Sequence, residues 1–257
     1  MKFIHRISKG SKFNQIYVPK EAEEKFEIGD LVEVRLLAKK TDLYFSRNSI
    51  KLTKFKEKLI KDIFAFLSKN TDIKQIFIFG SFLTKKIDYN DIDIMIVGEK
   101  DELMENKIYE ELIDEFNLKF HVLYIKEEKL ENLLMTNPLI RNMIYYCVSN
   151  KKLKSLPEIE INEKDIRFSL MLGEDVLDVD VNSRMLYDAL RRVLLIKYFV
   201  KKEDISLPEI TQLIISLLGR NLYEDARKDS IVNESSRNKI KHIIEENIKF
   251  IKNKLEK

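Results

Sequence analysis

The segment that decides the fold runs Gly80-Ser81-Phe82-Leu83-Thr84-Lys85-Lys86-Ile87-Asp88-Tyr89-Asn90-Asp91-Ile92-Asp93-Ile94. The fully apolar run 76–79 precedes it and predicts a buried strand that ends at Gly80-Ser81. A second strand is predicted over 91–97, where acidic and apolar residues alternate before the run turns fully apolar. Residues i and i+2 of a strand point to the same face, so we expect Asp91 and Asp93 to project side by side.

The residue types in this segment indicate a phosphate and metal site. Two adjacent carboxylates raise each other's pKa unless a cation lies between them, and Mg²⁺ is the hard ion that prefers such oxygen ligands. Gly80 lets the backbone approach a phosphate, Ser81 adds a hydroxyl and an N–H, and Lys85 offers a positive charge. Together these groups favour metal-assisted phosphoryl or nucleotidyl transfer. The alternative is that Asp91 and Asp93 lie at the solvated edge of an ordinary strand.

Helices and strands alternate on either side of this segment. The periodicity predicts a third strand over 118–125 and helices over 52–69, 100–116, 127–135 and 139–148. In the first helix, one face carries Phe55, Leu59, Ile63, Phe66 and Leu67. A linker is expected near 149–162, and further helices are predicted over 182–200, 207–219 and 236–256. The fold class is therefore α+β with three domains, at 1–48, 50–150 and 163–257, the last of them all-α.

The Gly-Ser, loop, Asp-x-Asp pattern resembles the nucleotidyltransferase superfamily of the DNA polymerase β type, especially the minimal nucleotidyltransferases of prokaryotes. The resemblance covers about residues 52–150 and implies an α/β core with a mixed sheet that uses Mg²⁺ and an NTP, ATP above all. It implies that Gly80 and Ser81 hold the triphosphate, helped by Lys85, and that Asp91 and Asp93 hold two Mg²⁺ ions.

One position departs from that family. Its members usually carry a third carboxylate on the next strand, where this chain has His121. A neutral imidazole can act as a base near pH 7, which predicts a catalytic role for His121. Two alternatives stay open: the site binds a nucleotide with little or no turnover, or His121 is a strand residue without a role in the site.

The first 48 residues resemble a second family. The runs Gln15-Ile16-Tyr17-Val18-Pro19-Lys20-Glu21 and Gly29-Asp30-Leu31-Val32-Glu33-Val34 are similar to the SpoVT/AbrB-like swapped-hairpin domain. The resemblance implies a small β-rich domain that forms a homodimer and binds DNA phosphates through Arg6, Lys9, Lys12 and Lys20, with salt-dependent affinity. The alternative is that the domain only dimerises and that these basic side chains are solvated.

The last helix carries a weaker pattern. Arg237 and His242 form an Arg-x4-His spacing that resembles HEPN-type helical domains, some of which are ribonucleases. An Arg and a His at this spacing could bind and protonate a phosphodiester. The alternatives are a polar face of an amphipathic helix and a helical cap that completes the nucleotidyltransferase cleft.

The composition excludes several classes of protein. The 257 residues include 46 Lys+Arg and 43 Asp+Glu, so the net charge of +3 does not by itself predict nucleic-acid binding. The single cysteine, Cys147, excludes a disulfide framework and a cysteine-based zinc site. No apolar run approaches the roughly 18 residues that span a bilayer, and no signal-peptide core is found. We therefore expect a cytoplasmic protein without a membrane partner.

Two functions follow as hypotheses. The first is an Mg²⁺-dependent nucleotidyltransferase that moves NMP from an NTP to an acceptor hydroxyl or phosphate and releases pyrophosphate. The second is a dimeric, antitoxin-like DNA-binding regulator in which a degenerate core binds a nucleotide. A ribonuclease is a third possibility. Whether the protein is an enzyme depends on the missing third carboxylate.

Overall fold

A computed structural model describes residues 6–26, 29–34, 41–84, 89–99, 104–230 and 233–256. The chain divides into two compact units, residues 1–39 and 40–257. The division into three domains that the sequence predicts stays a prediction.

The first unit is built from short elements. Strands β1 (Ser8–Lys9) and β2 (Asn14–Gln15) pair antiparallel, and a 3-10 helix covers Lys20–Lys25. The sequence predicts strands over 3–8, 15–19 and 31–37, but the described residues 6–7, 16–19 and 31–34 form none. The rest of those predicted strands, residues 3–5 and 35–37, lies outside the described residues. The swapped-hairpin fold is thus not confirmed.

The described part of the second unit contains one five-stranded mixed sheet. Its strands are β3 (Tyr44–Phe45), β4 (Ile73–Phe79), β5 (Ile92–Gly98), β6 (Phe120–Lys126) and β7 (Val148–Ser149). Their order is β3-β7-β4-β5-β6, and only the β5–β6 pair is parallel. The prediction of an α+β fold with a mixed sheet is confirmed, and the three long strands lie where the sequence predicts them.

Helices cover both faces of this sheet because β4 and β5 are apolar on both faces. The helices around the sheet are α1 (Lys54–Leu67), α2 (Met104–Phe116), α3 (Glu127–Thr136) and α4 (Pro138–Tyr145). Ile76, Ile78 and Ile94 share a buried cluster with α1 and α2. Phe77 and Met95, which point the other way, share a second cluster with α4. This double coverage fixes the register of β4 and β5.

Five helices form the carboxyl-terminal part of the second unit. They are α5 (Glu163–Asp178), α6 (Ser183–Val200), α7 (Leu207–Leu218), α8 (Arg220–Arg227) and α9 (Glu234–Leu255), counted within the described residues. A single apolar cluster includes buried residues from all five. The sequence predicts α6, α7 and α9 but not the bounds of α5 and α8. Within the described ranges, no helix combines the length and apolarity that crossing a membrane requires.

An ion pair between a buried arginine and a half-buried aspartate joins the helical part to the sheet part. Arg141 of α4 donates from Nε and Nη2 to the carboxylate of Asp204, at 2.5 and 3.0 Å. Its Nη1 donates to the carbonyls of Leu134 and Pro157. The guanidinium therefore ties the predicted linker and the segment before α7 to α4.

Candidate functional site

The turn after β4 requires glycine at its first position. Gly80 has φ of +76°, in the left-handed region that side chains rarely adopt. A Cβ built there would lie 1.9 Å from Oδ2 of Asp93. A 3-10 helix covers Gly80–Leu83, and the Thr84 backbone N–H and hydroxyl both donate to the Ser81 carbonyl, at 3.0 and 2.7 Å. The backbone of Gly80 thus lies directly against a carboxylate.

Strand pairing places Asp93 between the turn after β4 and His121 on β6. Asp93 is opposite Phe79 in the antiparallel β4–β5 pair, so it lies at the point where β4 enters the turn. In the parallel β5–β6 pair Asp93 is opposite His121. Nδ1 of His121 is 3.2 Å from Oδ1 of Asp93. The predicted neighbours Gly80, Asp93 and His121 are therefore brought together by strand register.

The electrostatics around Asp93 favour a bound cation. Burial raises the pKa of the Asp93 carboxyl, and the charge of Asp91 raises it further. The hydrogen bond and charge of His121 and the charge of Arg191 oppose this rise without cancelling it. The ionised carboxylate is thus left short of positive charge, which an added cation would supply.

The side chains at this site supply only some of the oxygen ligands that Mg²⁺ needs. The described residues contain no group of three or more His, Cys, Asp or Glu side chains placed to hold a metal ion. Asp91 lies immediately before β5, close enough for its charge to raise the pKa of the Asp93 carboxyl. Mg²⁺ is commonly bound by one or two carboxylates together with substrate phosphates, and that arrangement suits this pair.

The structure does not test the roles of the other binding residues that the sequence predicts. Lys85 lies outside the described residues. The DNA-binding candidates Arg6, Lys9, Lys12 and Lys20 are all exposed in the first unit, and nothing in their placement tests DNA binding.

The Arg-x4-His pair engages separate partners. Arg237 forms an ion pair with Asp180 and donates to the carbonyl of Val181, while Nε2 of His242 is 3.4 Å from Glu246. These contacts join α9 to the chain before α6 and stabilise one helical turn. They account for both side chains structurally, and the ribonuclease hypothesis stays a prediction.

Sequence reasoning missed two cations near the site. Arg191 of α6 acts on Asp93 from a helix more than ninety residues later in the chain, so no local pattern could indicate it. Lys56 of α1 is buried beneath the turn. Its spacing to Ile60, Ile63 and Leu67 is the one sequence signal for this burial, and the apolar face that the sequence predicts, which includes Phe55, does not contain it.

Comparison with known proteins bears on part of the chain. Residues 61–151 match the family model described as Polymerase beta, Nucleotidyltransferase. This match supports a nucleotidyltransferase core. It includes Gly80, Ser81, Asp91, Asp93 and His121, and it stops short of the first unit and of α5 to α9.

Similarity outside that match is limited. A search of curated proteins found no significant match. Among solved structures, the spectinomycin adenyltransferase AAD(9) from Enterococcus faecialis, crystallised with ATP and spectinomycin, is similar at 14% identity. The similarity covers 80% of this chain and 100% of that chain, with a TM-score of 0.44.

Proposed function

We propose that the protein is an Mg²⁺-dependent nucleotidyltransferase that transfers NMP from an NTP to an acceptor hydroxyl or phosphate. The observation that carries the proposal is the position of Asp93, between the Gly80 turn and His121 and beside Asp91. These residues lie within the segment that matches the nucleotidyltransferase family. We propose ATP as the donor.

The turn and the carboxylates have separate roles in this proposal. Gly80 and Ser81 hold the triphosphate, because glycine lets the backbone N–H groups of the turn approach a phosphate closely, and Lys85 adds charge to the same phosphates. Asp91 and Asp93 would hold Mg²⁺, which when bound supplies charge neutralisation of the phosphates. The acceptor oxygen forms a bond to the α-phosphorus, the bond from that phosphorus to the α–β bridging oxygen breaks, and pyrophosphate leaves.

His121 accepts the proton that the acceptor loses. Its side chain is 66% exposed, so an acceptor from solvent can reach it. We assign the ring proton of His121 to Nδ1, which donates to Oδ1 of Asp93, so that the lone pair on Nε2 is left to accept a proton. A histidine held in this way supplies the base that the absent third carboxylate would otherwise provide.

The decisive experiment is transfer of label from α-labelled ATP. The full chain is incubated with Mg²⁺ and pools of RNA, protein and small-molecule acceptors, and labelled product and pyrophosphate are measured. We expect Asp91→Asn and Asp93→Asn to lower transfer by at least about a hundredfold. Asp62→Asn, an exposed acid on α1, is the matched control and should act as wild type. Full transfer by the double Asp91→Asn/Asp93→Asn variant would contradict the proposal.

The regulator hypothesis is not favoured by the family match, which covers the core. The two features on which that hypothesis depends, a homodimer and DNA binding by the first unit, are separate proposals. Apolar side chains of the first unit, among them Phe13, Leu31 and Val34, are exposed to solvent. An exposed apolar set of this kind favours pairing with a second copy of the chain, which we propose as the homodimer contact. DNA binding by Arg6, Lys9, Lys12 and Lys20 and a cytoplasmic location stay predictions.

A further inference from the structure

Lys56 is a buried cation beneath the Gly80 turn. It lies in the first turn of α1 and is 5% exposed. Its Nζ donates to the carbonyl of Phe82 at 2.8 Å and to the carbonyl of Thr84 at 2.9 Å. The same Nζ lies 5.0 Å from the centre of the Phe82 ring and 5.3 Å from that of Tyr89. The ammonium is thus enclosed by backbone oxygens and aromatic faces.

An ammonium in this place is costly, which argues that it has a specific effect. Burial lowers the pKa of Lys56, because removing the charged form from water is unfavourable. The other buried positions of α1 hold Ile60, Ile63, Phe64 and Leu67. Any apolar side chain would fill that face without the cost of desolvation. What an apolar side chain cannot do is donate hydrogen bonds to the turn.

The two carbonyls that Lys56 contacts lie at the far end of the turn. Thr84, whose carbonyl accepts from Lys56, itself donates twice to the carbonyl of Ser81. A continuous set of hydrogen bonds therefore runs from α1 through Thr84 to Ser81. Direct contact between Lys56 and a phosphate is disfavoured, since two of its donors are directed at carbonyls and its side chain is buried.

We propose that Lys56 is a positioning residue that holds the Gly80–Thr84 turn in the conformation that binds the nucleotide triphosphate. This inference rests on the proposed function, which supplies the triphosphate ligand. Its geometry comes from the hydrogen bonds of Lys56. Lys56 lies outside the matched segment 61–151, in the part of α1 that precedes it, so the inference adds a residue that the family match does not include. Its effect passes through Ser81 rather than through any contact with the substrate.

The test compares three variants of the full chain with wild type. Lys56→Met keeps the length and apolar stem but removes every donor, Lys56→Arg keeps the charge, and Lys61→Met changes an exposed lysine of the same helix. Calorimetry measures binding of Mg²⁺-ATP below the melting temperature of all variants. Hydrogen exchange measures protection of the amides in residues 80–84.

We expect Lys56→Met to weaken Mg²⁺-ATP binding by about tenfold or more and to speed exchange in the turn. Lys56→Arg should recover much of both, and Lys61→Met should match wild type. If Lys56→Met does not fold, Lys56→Leu, which also lacks every donor and has a shorter side chain, takes its place with the same expectations.

The possible failures can be distinguished. Unchanged affinity in a folded Lys56→Met variant overturns the positioning role, even if exchange in the turn becomes faster. A wild-type chain that binds no Mg²⁺-ATP contradicts the proposed function instead. In that case exchange tests only the structural part of the inference, that Lys56 holds the turn, and unchanged protection of residues 80–84 in Lys56→Met overturns that part.

Discussion

Gly80 has a backbone conformation that favours glycine, and it also lies against the Asp93 carboxylate of the site. An alanine there would adopt an unfavourable positive φ, and its Cβ would overlap the Asp93 carboxylate. We predict that Gly80→Ala weakens Mg²⁺-ATP binding by at least about tenfold, because the turn or the carboxylate must move. Calorimetric titration with Mg²⁺-ATP measures this.

Gly219 offers a matched control for that substitution. It has φ of +83°, but a Cβ added there would meet nothing within 4 Å. Gly219→Ala therefore introduces backbone strain of about 1–3 kcal/mol without the overlap, since φ of +83° with ψ of +154° is a conformation that essentially only glycine adopts. It should lose stability and keep its affinity for nucleotide. Equal affinities in the two variants would show that contact with Asp93 has no part in binding.

Single residues of the site could be predicted from the sequence when local spacing determined them. The spacing predicts that Asp91 and Asp93 share a face, whereas the expectation that His121 lies on the next strand at the site comes from the family resemblance. The parallel β5–β6 register then puts His121 opposite Asp93, which the apolar patterns of the two strands do not specify. Lys56 was not predicted, because a lysine inside a helical pattern is usually solvated. Only the tertiary position of the carbonyls of Phe82 and Thr84 explains its burial.

The sequence predicts the first helix but not which of its faces is buried. The sequence indicates a helix over 52–69, and α1 covers Lys54–Leu67. Phe55 was placed on the buried face, yet it is exposed, and Lys56 is buried in its place. Hydrophobicity alone ranks phenylalanine above lysine, so the rotation of α1 depends on hydrogen bonds that no local pattern contains.

The contact between α4 and the segment before α7 depends on Arg141. We predict that Arg141→Ala lowers the free energy of unfolding by about 3 kcal/mol, because it leaves Asp204 and two carbonyls without their donor. Chemical denaturation measures the loss. Arg167→Ala, which breaks an exposed pair with Glu163, is the control and should change stability by less than about 1 kcal/mol. Equal losses in both variants would argue against a structural role for the Arg141–Asp204 pair.

The start of α7 gives a pH-dependent contribution to stability. Ser206 and Glu209 form a capping box, and the hydrogen bonds from Ser206 lower the pKa of Glu209. A lowered folded pKa means stabilisation that is present above the unfolded value of about 4.3 and lost as the pH falls through the folded pKa.

We predict that Glu209→Gln is less stable than wild type at pH 7 by about 0.5 kcal/mol, since the exposed charge at the helix start is screened. The difference should shrink as the pH falls below about 4.3. Denaturation curves at pH 7 and pH 3 measure it. A difference that grows on acidification would reverse the assigned sign.

At the scale of the whole molecule, the two units differ in how much of their apolar side-chain surface they bury. The second unit buries its apolar residues in three clusters that include helices on both faces of the sheet. The described part of the first unit has two strands of two residues each and leaves Phe13 79% exposed and Leu31 fully so. A unit of fewer than 40 residues rarely buries enough surface alone, which is why we propose a second copy as its partner.

The oligomeric state of the full chain tests this proposal. We predict a dimer by sedimentation velocity at micromolar concentration, and Phe13→Glu/Leu31→Glu should shift it to monomer, because charges placed in an apolar contact oppose association. Phe168→Glu is the matched control, since Phe168 of α5 is 73% exposed and belongs to the second unit. A dimer that only Phe168→Glu disrupts would place the contact on the helices, and a monomeric wild type would contradict the homodimer altogether. Because the site residues all belong to the second unit, the monomeric variant should bind Mg²⁺-ATP as wild type does.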